Sequence, residues 1–273
     1  MNVRRVMRLS AKLIIALLLT CCGLQTAVAQ NDFCSARNNS FQHGEKMFFK
    51  VFYNMGRIWV GAGEASFTVN QEDLNGKKVY HIVGDGKTLK SYEWFYKVRD
   101  RYETFVDMET LLPVKFVRNV NEGGFRIYNN VTFNQHIGQA VSTNGVFSVP
   151  KCVQDVLSAI YFARNIDYNK YKPGDKIPFS MFLDDQVYNL YIRYVGKEQI
   201  ETRYGTFNTI KISPLLIEGT IFKGGEKMAV WVSDDANHVP VRVDSPILVG
   251  SIKVDMMGYQ NLRNAFTGLI SKK

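Results

Sequence analysis

The stretch FVDMETLLPV, residues 105–114, returns later in the chain as WVSDDANHVPV, residues 231–241. In both, an aromatic–aliphatic pair runs into an acidic turn, and a proline then opens a new apolar run. Asp makes turns through bonds to nearby backbone, and proline is tolerated at the first residue of a strand. Each stretch therefore reads as a hairpin, and its recurrence predicts two similar β halves. The approach to the hairpins agrees. Gly44-Glu45-Lys46 precedes an aromatic run, and Gly174-Asp175-Lys176 precedes Ile177-Pro178-Phe179. From Gly44 to Pro113 is 69 residues, and from Gly174 to Pro240 is 66.

Outward from these hairpins the dominant signal is period-two alternation of β-branched and aromatic residues, broken by Gly, Asn and Asp. It predicts strands near 45–54, 58–70, 77–87, 93–107, 113–121 and 124–134, with a short hairpin within 138–149. After the middle of the chain it predicts strands near 176–184, 186–196, 207–217, 226–233, 238–244 and 247–260. Asn75-Gly76 and Asn144-Gly145 suit tight hairpin turns. One helix interrupts the pattern. Val153, Val156, Leu157, Ile160, Tyr161 and Arg164 fall at helical spacing, with Pro150 just before the start and Arg164 placed to suit the dipole at the end. The expected fold is mostly β: a large, partly open antiparallel barrel of residues 44–262. Its two similar halves, 44–149 and 174–262, are joined by one central amphipathic helix over about 152–165. Residues 30–43 read as a polar lead held only by Cys34, and residues 263–273 as a fraying tail.

The first 29 residues read as an export signal. Arg4, Arg5, Arg8 and Lys12 precede the apolar run Leu13–Leu19, and Ala27-Val28-Ala29 offers a small-residue cleavage site. Lipidation at Cys21 or Cys22 is the competing reading, disfavoured because Thr20 or Cys21 stands where a small residue is usual. Either reading places the chain outside the cytoplasm, in the periplasm or at the outer membrane. No apolar run is long enough to span a bilayer. Removing the four basic residues of the signal lowers the formal charge from +9 to +5. With no Lys/Arg block, nucleic acid is a poor partner. Cys34 and Cys152 then remain, most simply as a disulfide across a long loop, the alternative being a reactive Cys152 thiol near a helix start.

Several segments together resemble a family of exported bacterial proteins catalogued as domain of unknown function 3108. They are Phe95-Tyr96-Lys97-Val98-Arg99-Asp100-Arg101-Tyr102-Glu103 with Leu111-Leu112-Pro113, Asp155-Val156-Leu157-Ser158-Ala159, Trp231-Val232-Ser233-Asp234-Asp235 with Val239-Pro240, and Val249-Gly250-Ser251-Ile252. The resemblance runs from about Gly44 to Tyr259. It implies an open β-barrel similar to that of a capsule-locus lipoprotein of the YmcC type and, more loosely, to the half-barrels of periplasmic lipoprotein carriers that hold acyl chains. It implies no catalytic residues.

Chemistry is sparse in the sequence. His43, His81, His136 and His238 are scattered without metal-ligand spacing, and no G-x-S-x-G elbow occurs. Gly61-Ala62-Gly63 and Gly84-Asp85-Gly86 are better explained by strand crowding than by phosphate binding. The adjacent acids Asp184-Asp185 and Asp234-Asp235 suit turns. The most suggestive stretch is 92–103. As a strand it would place Phe95, Arg99, Arg101 and Glu103 on one face and Trp94, Tyr96, Val98, Asp100 and Tyr102 on the other. A guanidinium row could bind a carboxylate, phosphate or sugar acid, or could pair with acids on neighbouring strands. With Trp59 and Trp231, the candidate ligand-binding residues are Trp59, Trp94, Phe95, Tyr96, Arg99, Arg101 and Trp231. No cofactor or metal is expected. The expected function is that of an exported non-enzymatic envelope protein holding an apolar, lipid-like or glycan ligand in a barrel cavity. An envelope scaffold acting through protein contacts is the first alternative, and a hydrolase the second.

Overall fold

A computed structural model describes residue 34 and residues 37–55, 58–94, 96–218, 223–247 and 250–273. The export signal, Cys21, Cys22 and Phe95 lie outside the described residues.

The first half is a meander: β1 (Lys46–Met55), β2 (Ile58–Leu74), β3 (Lys77–Thr88), β4 (Arg99–Asp107), β5 (Pro113–Glu122), β6 (Phe125–Asn134), β7 (Gln139–Ser142) and β8 (Gly145–Ser148). Helix α1 (Val156–Ala163) follows. The second half contains β9 (Lys176–Leu183), β10 (Gln186–Glu201), β11 (Gly205–Pro214), a small hairpin of β12 (Leu216–Glu218) and β13 (Lys223–Gly225), β14 (Ala229–Ser233), β15 (Pro240–Pro246) and β16 (Ser251–Gln260). A final strand, β17 (Leu269–Lys272), ends the chain. The main sheet runs β8-β7-β6-β5-β4-β3-β2-β1-β16-β15-β14-β11-β10-β9, with β17 added beside β11. Every paired neighbour within it is antiparallel.

The recurrent hairpin has the same backbone in both halves. Between β4 and β5 the register slips after Phe105, so that Val106 faces Pro113. Between β14 and β15 it slips after Trp231, so that Val232 faces Pro240. Two residues before each proline stands a left-handed non-glycine, Leu111 (φ 57°) and His238 (φ 41°). Such a conformation costs on the order of 1–3 kcal/mol. Asp107 accepts from the amides of Glu109 and Thr110, and Asp235 accepts from that of Asn237, which fixes the two turns.

The sheet curls until its end strands approach without pairing. Phe147 of β8 lies 5.6 Å from Phe182 of β9, ring centre to ring centre, and Asn144 donates to Asp185 at 2.6 Å. Arg118 and Asp184 pair across the same seam. The result is a partly open barrel. Its interior is filled around α1 by Phe41, Ile82, Tyr161, Phe162, Tyr168 and Ile177, among others, all essentially inaccessible to solvent. Gly84 makes one close approach possible, since a Cβ there would meet the Phe67 ring at 2.9 Å and Leu157 at 3.4 Å.

Four details differ from the sequence reading. The helix is shorter than 152–165. Gln154 is extended and exchanges backbone hydrogen bonds with Ser180 and Phe182 of β9 (2.9 and 2.8 Å), so the helix begins only after Asp155. Ile160, placed in the apolar stripe, is 37% exposed, and Phe162 is buried in its stead. The polar lead is held by more than Cys34: Phe41 is fully buried between Tyr80 and Tyr161, with edge-to-face contacts at 5.1 and 4.9 Å. The tail is a strand, anchored where Phe266 packs on Tyr259 and Phe207. These segments escape periodicity because each is fixed by one or two large side chains rather than by a repeating face. The fourth detail is the start of β4 at Arg99, not near residue 93. Lys90–Tyr92 is a 3₁₀ turn, and Val98 makes only an isolated bridge to Glu122. The Cys34–Cys152 disulfide is formed, with Cα atoms 5.2 Å apart.

Two buried charged groups organise α1. At its start, Asp155 is fully buried and accepts from the amides of Leu157 (2.8 Å) and Ser158 (2.9 Å) and from Thr104 Oγ1 of β4 (2.6 Å). Ser158 Oγ in turn accepts from the Asp155 amide at 2.8 Å, completing a capping box. Burial pushes the Asp155 carboxyl up to about 6, although these hydrogen bonds oppose the shift. At the helix end, Arg164 is 1% exposed and meets Glu45, which is 0% exposed, through two bonds of 2.6 and 3.0 Å. Its remaining donors reach the carbonyls of Ser40 (3.1 Å) and Asn237 (3.0 Å).

Removing one member of a buried, bonded ion pair costs about 3–5 kcal/mol, because the other charge stays uncompensated. Glu45→Gln is therefore expected to lower the unfolding free energy by about that amount in urea titration. The paired replacement Glu45→Leu with Arg164→Met should recover most of the loss. For Asp155 the folded value lies above the unfolded one, so protonation favours the folded state. Its contribution is complete below pH 4 and is lost as pH rises through about 6, amounting to roughly 2–3 kcal/mol. Asp155→Asn keeps an acceptor for the cap, and urea midpoints between pH 4 and pH 7 should show that slope flattened.

Candidate functional site

The face of β1–β5 turned away from α1 carries an array of charged side chains. Strand alternation puts Lys50 on β1, Glu64 on β2, Asp85 and Lys87 on β3, and Arg99 and Arg101 on β4 on this one face. Their order is fixed by the pairings Lys50↔Glu64, Glu64↔Lys87, Lys87↔Arg99 and Asp85↔Arg101. Asn119 and Asn121 of β5 extend the row, Asn119 opposite Arg101. Together these residues line a cleft of about 990 Å³, open to solvent, with the half-exposed ring of Phe48 and Met257 along one wall.

The charges in the cleft are largely paired with one another. Arg101 donates to both oxygens of Asp85 (3.0 and 3.1 Å) and through Nε to Glu103 (3.0 Å). Glu103 also meets His81 Nε2 at 2.8 Å, while His81 Nδ1 meets Glu72 at 2.7 Å and the imidazole stacks on Phe105 at 4.2 Å. Burial raises the Glu103 carboxyl, but the bonds from Arg101 and His81 outweigh it and hold the group below its ordinary value. Lys87 pairs with Glu64 at 3.3 Å. Arg99 pairs with Glu93 and donates to the carbonyls of Val98 (2.6 Å) and Thr88 (3.1 Å). Lys50 has no carboxylate partner among the described residues; its ammonium lies 5.9 Å from the Phe52 ring centre. The cleft thus offers fixed donors and acceptors side by side with little net field.

Of the residues singled out from sequence, the structure brings Arg99 and Arg101 together in this cleft. Trp94 and Tyr96 lie beyond the start of β4, in the connection from β3, so they do not extend the alternation of that strand. Trp94 is 83% exposed and its indole donates to the Ser91 carbonyl at 3.0 Å. Tyr96 rests on Gly123. Trp59, near the start of β2, has Lys253 over its ring at 4.5 Å. Trp231 is far from the cleft, on β14, where its indole donates to Glu198 at 2.6 Å and Lys211 covers its ring. Sequence reasoning missed Lys50, Glu64, Asp85, Lys87, Asn119 and Asn121. Only the pairing register, which alternation does not specify, places them beside the two arginines.

The family model described as a protein of unknown function, DUF3108, matches residues 49–257. The chain belongs to this family. No curated protein matches it. Among solved structures, the DUF3108 chain is similar to a β-barrel-like protein of domain of unknown function DUF1849 from Brucella abortus. That match has a TM-score of 0.51 and 8% identity, covering 80% of this chain and 97% of the other. It is also matched to a candidate lipoprotein from Parabacteroides distasonis (TM-score 0.36, 12% identity, 83% and 99% covered). A third match is a candidate exported protein with a YmcC-like fold from Bacteroides fragilis (0.32, 12%, 83% and 100%). The first of these shows a shared barrel-like fold. No helix among the described residues of the DUF3108 chain is long and apolar enough to cross a membrane, and no group of three or more His, Cys, Asp and Glu among them is placed to hold a metal ion.

Arg101 and Asp85 are each 47% exposed, and exposed ion pairs contribute about 0–1 kcal/mol. Arg101→Ala is therefore expected to lower stability by no more than about 1 kcal/mol in chemical denaturation. A loss above about 3 kcal/mol would make the row a structural element rather than a surface available to ligand.

Proposed function

We propose that this chain is an exported, non-enzymatic binding protein of the cell envelope that takes a sugar chain in the cleft on the outer face of β1–β5. The observation that carries this reading is the contrast between the two sides of the sheet. The inner side is lined by aromatic and aliphatic side chains that pack around α1. The outer side holds a cleft of about 990 Å³ lined by amides and paired charges. Sugar hydroxyls both donate and accept, so they match a surface where Arg101 and Asp85, or Lys87 and Glu64, stand side by side. Because Arg101 is already neutralised by Asp85 and Glu103, binding does not require a strongly anionic ligand. The exposed ring of Phe48 supplies an apolar face for the C–H side of a sugar ring.

One buried carboxyl pair lacks the spacing that glycoside hydrolysis needs. Asp100 and Glu122, on the inner face, hydrogen-bond to each other directly, with burial the main cause of a raised Asp100 value. Glycoside hydrolysis uses carboxyl groups about 5–10 Å apart, with a sugar or water between them. Export and envelope location rest on the reading of residues 1–29.

The test is calorimetric titration with neutral and uronic-acid-containing oligosaccharides. Asn119→Ala with Asn121→Ala, and separately Lys50→Ala, should each weaken binding by about tenfold, as loss of one or two ligand hydrogen bonds implies. Hydrolysis products from any of these sugars would overturn the non-enzymatic reading. Absence of binding to every sugar, with fatty acid retained by gently extracted protein, would return the apolar-ligand reading. Absence of both, with a protein partner captured by cross-linking in cells, would favour the scaffold.

A further inference from the structure

One end of the barrel combines projecting apolar side chains with exposed basic ones. Because β2 to β6 are consecutive and antiparallel, the start of β2 and the β3–β4 and β5–β6 connections share one rim. Gly63 pairs with Thr88, and Val98 bridges to Glu122, which brings these segments side by side. Four large apolar or aromatic side chains stand out from this rim: Ile58 (67% exposed), Trp94 (83%), Phe125 (52%) and Tyr96 (41%). They come from three segments, and Tyr96 of the β3–β4 connection rests on Gly123 of the β5–β6 connection. Exposed basic residues lie among them: Lys90 and Lys97 flank Trp94, and Arg126 follows Phe125. No carboxylate lies within ion-pair distance of these three among the described residues. The nearby acids are otherwise engaged, Glu93 by Arg99 and Glu122 in the barrel interior beside Asp100.

We propose that this rim seats the protein on a lipid bilayer surface bearing anionic headgroups. A bilayer interface deforms around each projecting side chain. It accommodates Trp in particular, whose amphipathic ring sits at headgroup depth, and it attracts Lys and Arg to acidic headgroups. The bond from the Trp94 indole to the Ser91 carbonyl steadies the ring at its tip. The rim is distinct from the sugar cleft but adjoins it through Arg99, whose partner Glu93 belongs to the β3–β4 connection. A chain docked by the rim therefore holds its cleft beside the membrane surface.

The experiment is co-flotation with vesicles of phosphatidylethanolamine and phosphatidylglycerol, against vesicles of phosphatidylcholine alone, using the full chain. Binding should favour the anionic vesicles and fall with added salt. Trp94→Ser with Phe125→Ser, and separately Lys90→Gln with Lys97→Gln and Arg126→Gln, should each weaken it by about tenfold or more, with unchanged thermal melts. In a chain whose remaining tryptophan is Trp94 (Trp59→Phe, Trp231→Phe), brominated lipids should quench its fluorescence. Equal flotation of wild type and both rim variants would overturn the proposal, since residues 1–29 would then account for the binding. Absence of quenching, or a rim-dependent complex with another protein in place of vesicle binding, would overturn it as well.

Discussion

Arg164 and Glu45 meet where solvent does not reach, and four parts of the chain are fixed by that meeting. Glu45 stands at the threshold of β1, Arg164 closes α1, and the same guanidinium takes the carbonyls of Ser40 in the lead and Asn237 in the β14–β15 turn. The Arg164 carbonyl accepts from Ser40 Oγ and from His238 Nδ1, so the residue binds its neighbours from both ends. A lone buried guanidinium would be prohibitively costly, and a bidentate carboxylate with two further carbonyls meets nearly all of its donor capacity. Such a cluster is poorly replaceable piece by piece. It also gives the helix a single position, because an apolar contact tolerates sliding whereas a bidentate pair does not.

With the helix end fixed there and its start fixed by Asp155 against Thr104, α1 becomes the post around which the sheet curls. Closure then needs no hydrogen-bonded ladder between the end strands. Gln154, just ahead of the helix, borrows the free edge of β9, and Phe147 with Phe182 seals part of the remaining seam. A barrel closed in this way keeps an open strand edge, ordinarily a liability for aggregation. Here the edge strand β8 is only four residues long, and side chains bridge it to the opposite margin.

The strand content, the duplicated hairpin and the position of the helix could be read from sequence because each depends on a repeating local pattern. The proline-opened hairpins even share a register slip and a left-handed residue, for which Asp107 and Asp235 were visible turn signals. What could not be read depends on single residues acting at long range. Phe41 lies in a segment whose composition is polar, yet its one ring reaches the core. Arg164 looked like a helix-dipole residue, and nothing in its local pattern points to Glu45, 119 residues away. The stretch 92–103 misled for a related reason. Its aromatic residues imitate strand alternation, but the chain turns at Lys90–Tyr92, and only the part from Arg99 onward enters the sheet. The two arginines were therefore recognisable, and their cleft-mates on other strands were not, because register is set by pairing rather than by composition.

The packing of the interior has a consequence for where ligands can act. A barrel this wide would enclose a cavity if its inward residues were small. Many of them are large: Phe, Tyr and Ile from both halves meet α1, and Gly84 serves to admit Leu157 and Phe67. Ile58, Trp94 and Phe125 project at the rim, and the polar residues that form a cleft stand on the outer face of β1–β5. Both proposed binding surfaces therefore lie on the outside of the barrel. The long strand β2, 17 residues from Ile58 to Leu74, spans both regions, carrying Ile58 at the rim and Glu64 in the cleft. A load applied at one therefore acts on the same strand that shapes the other.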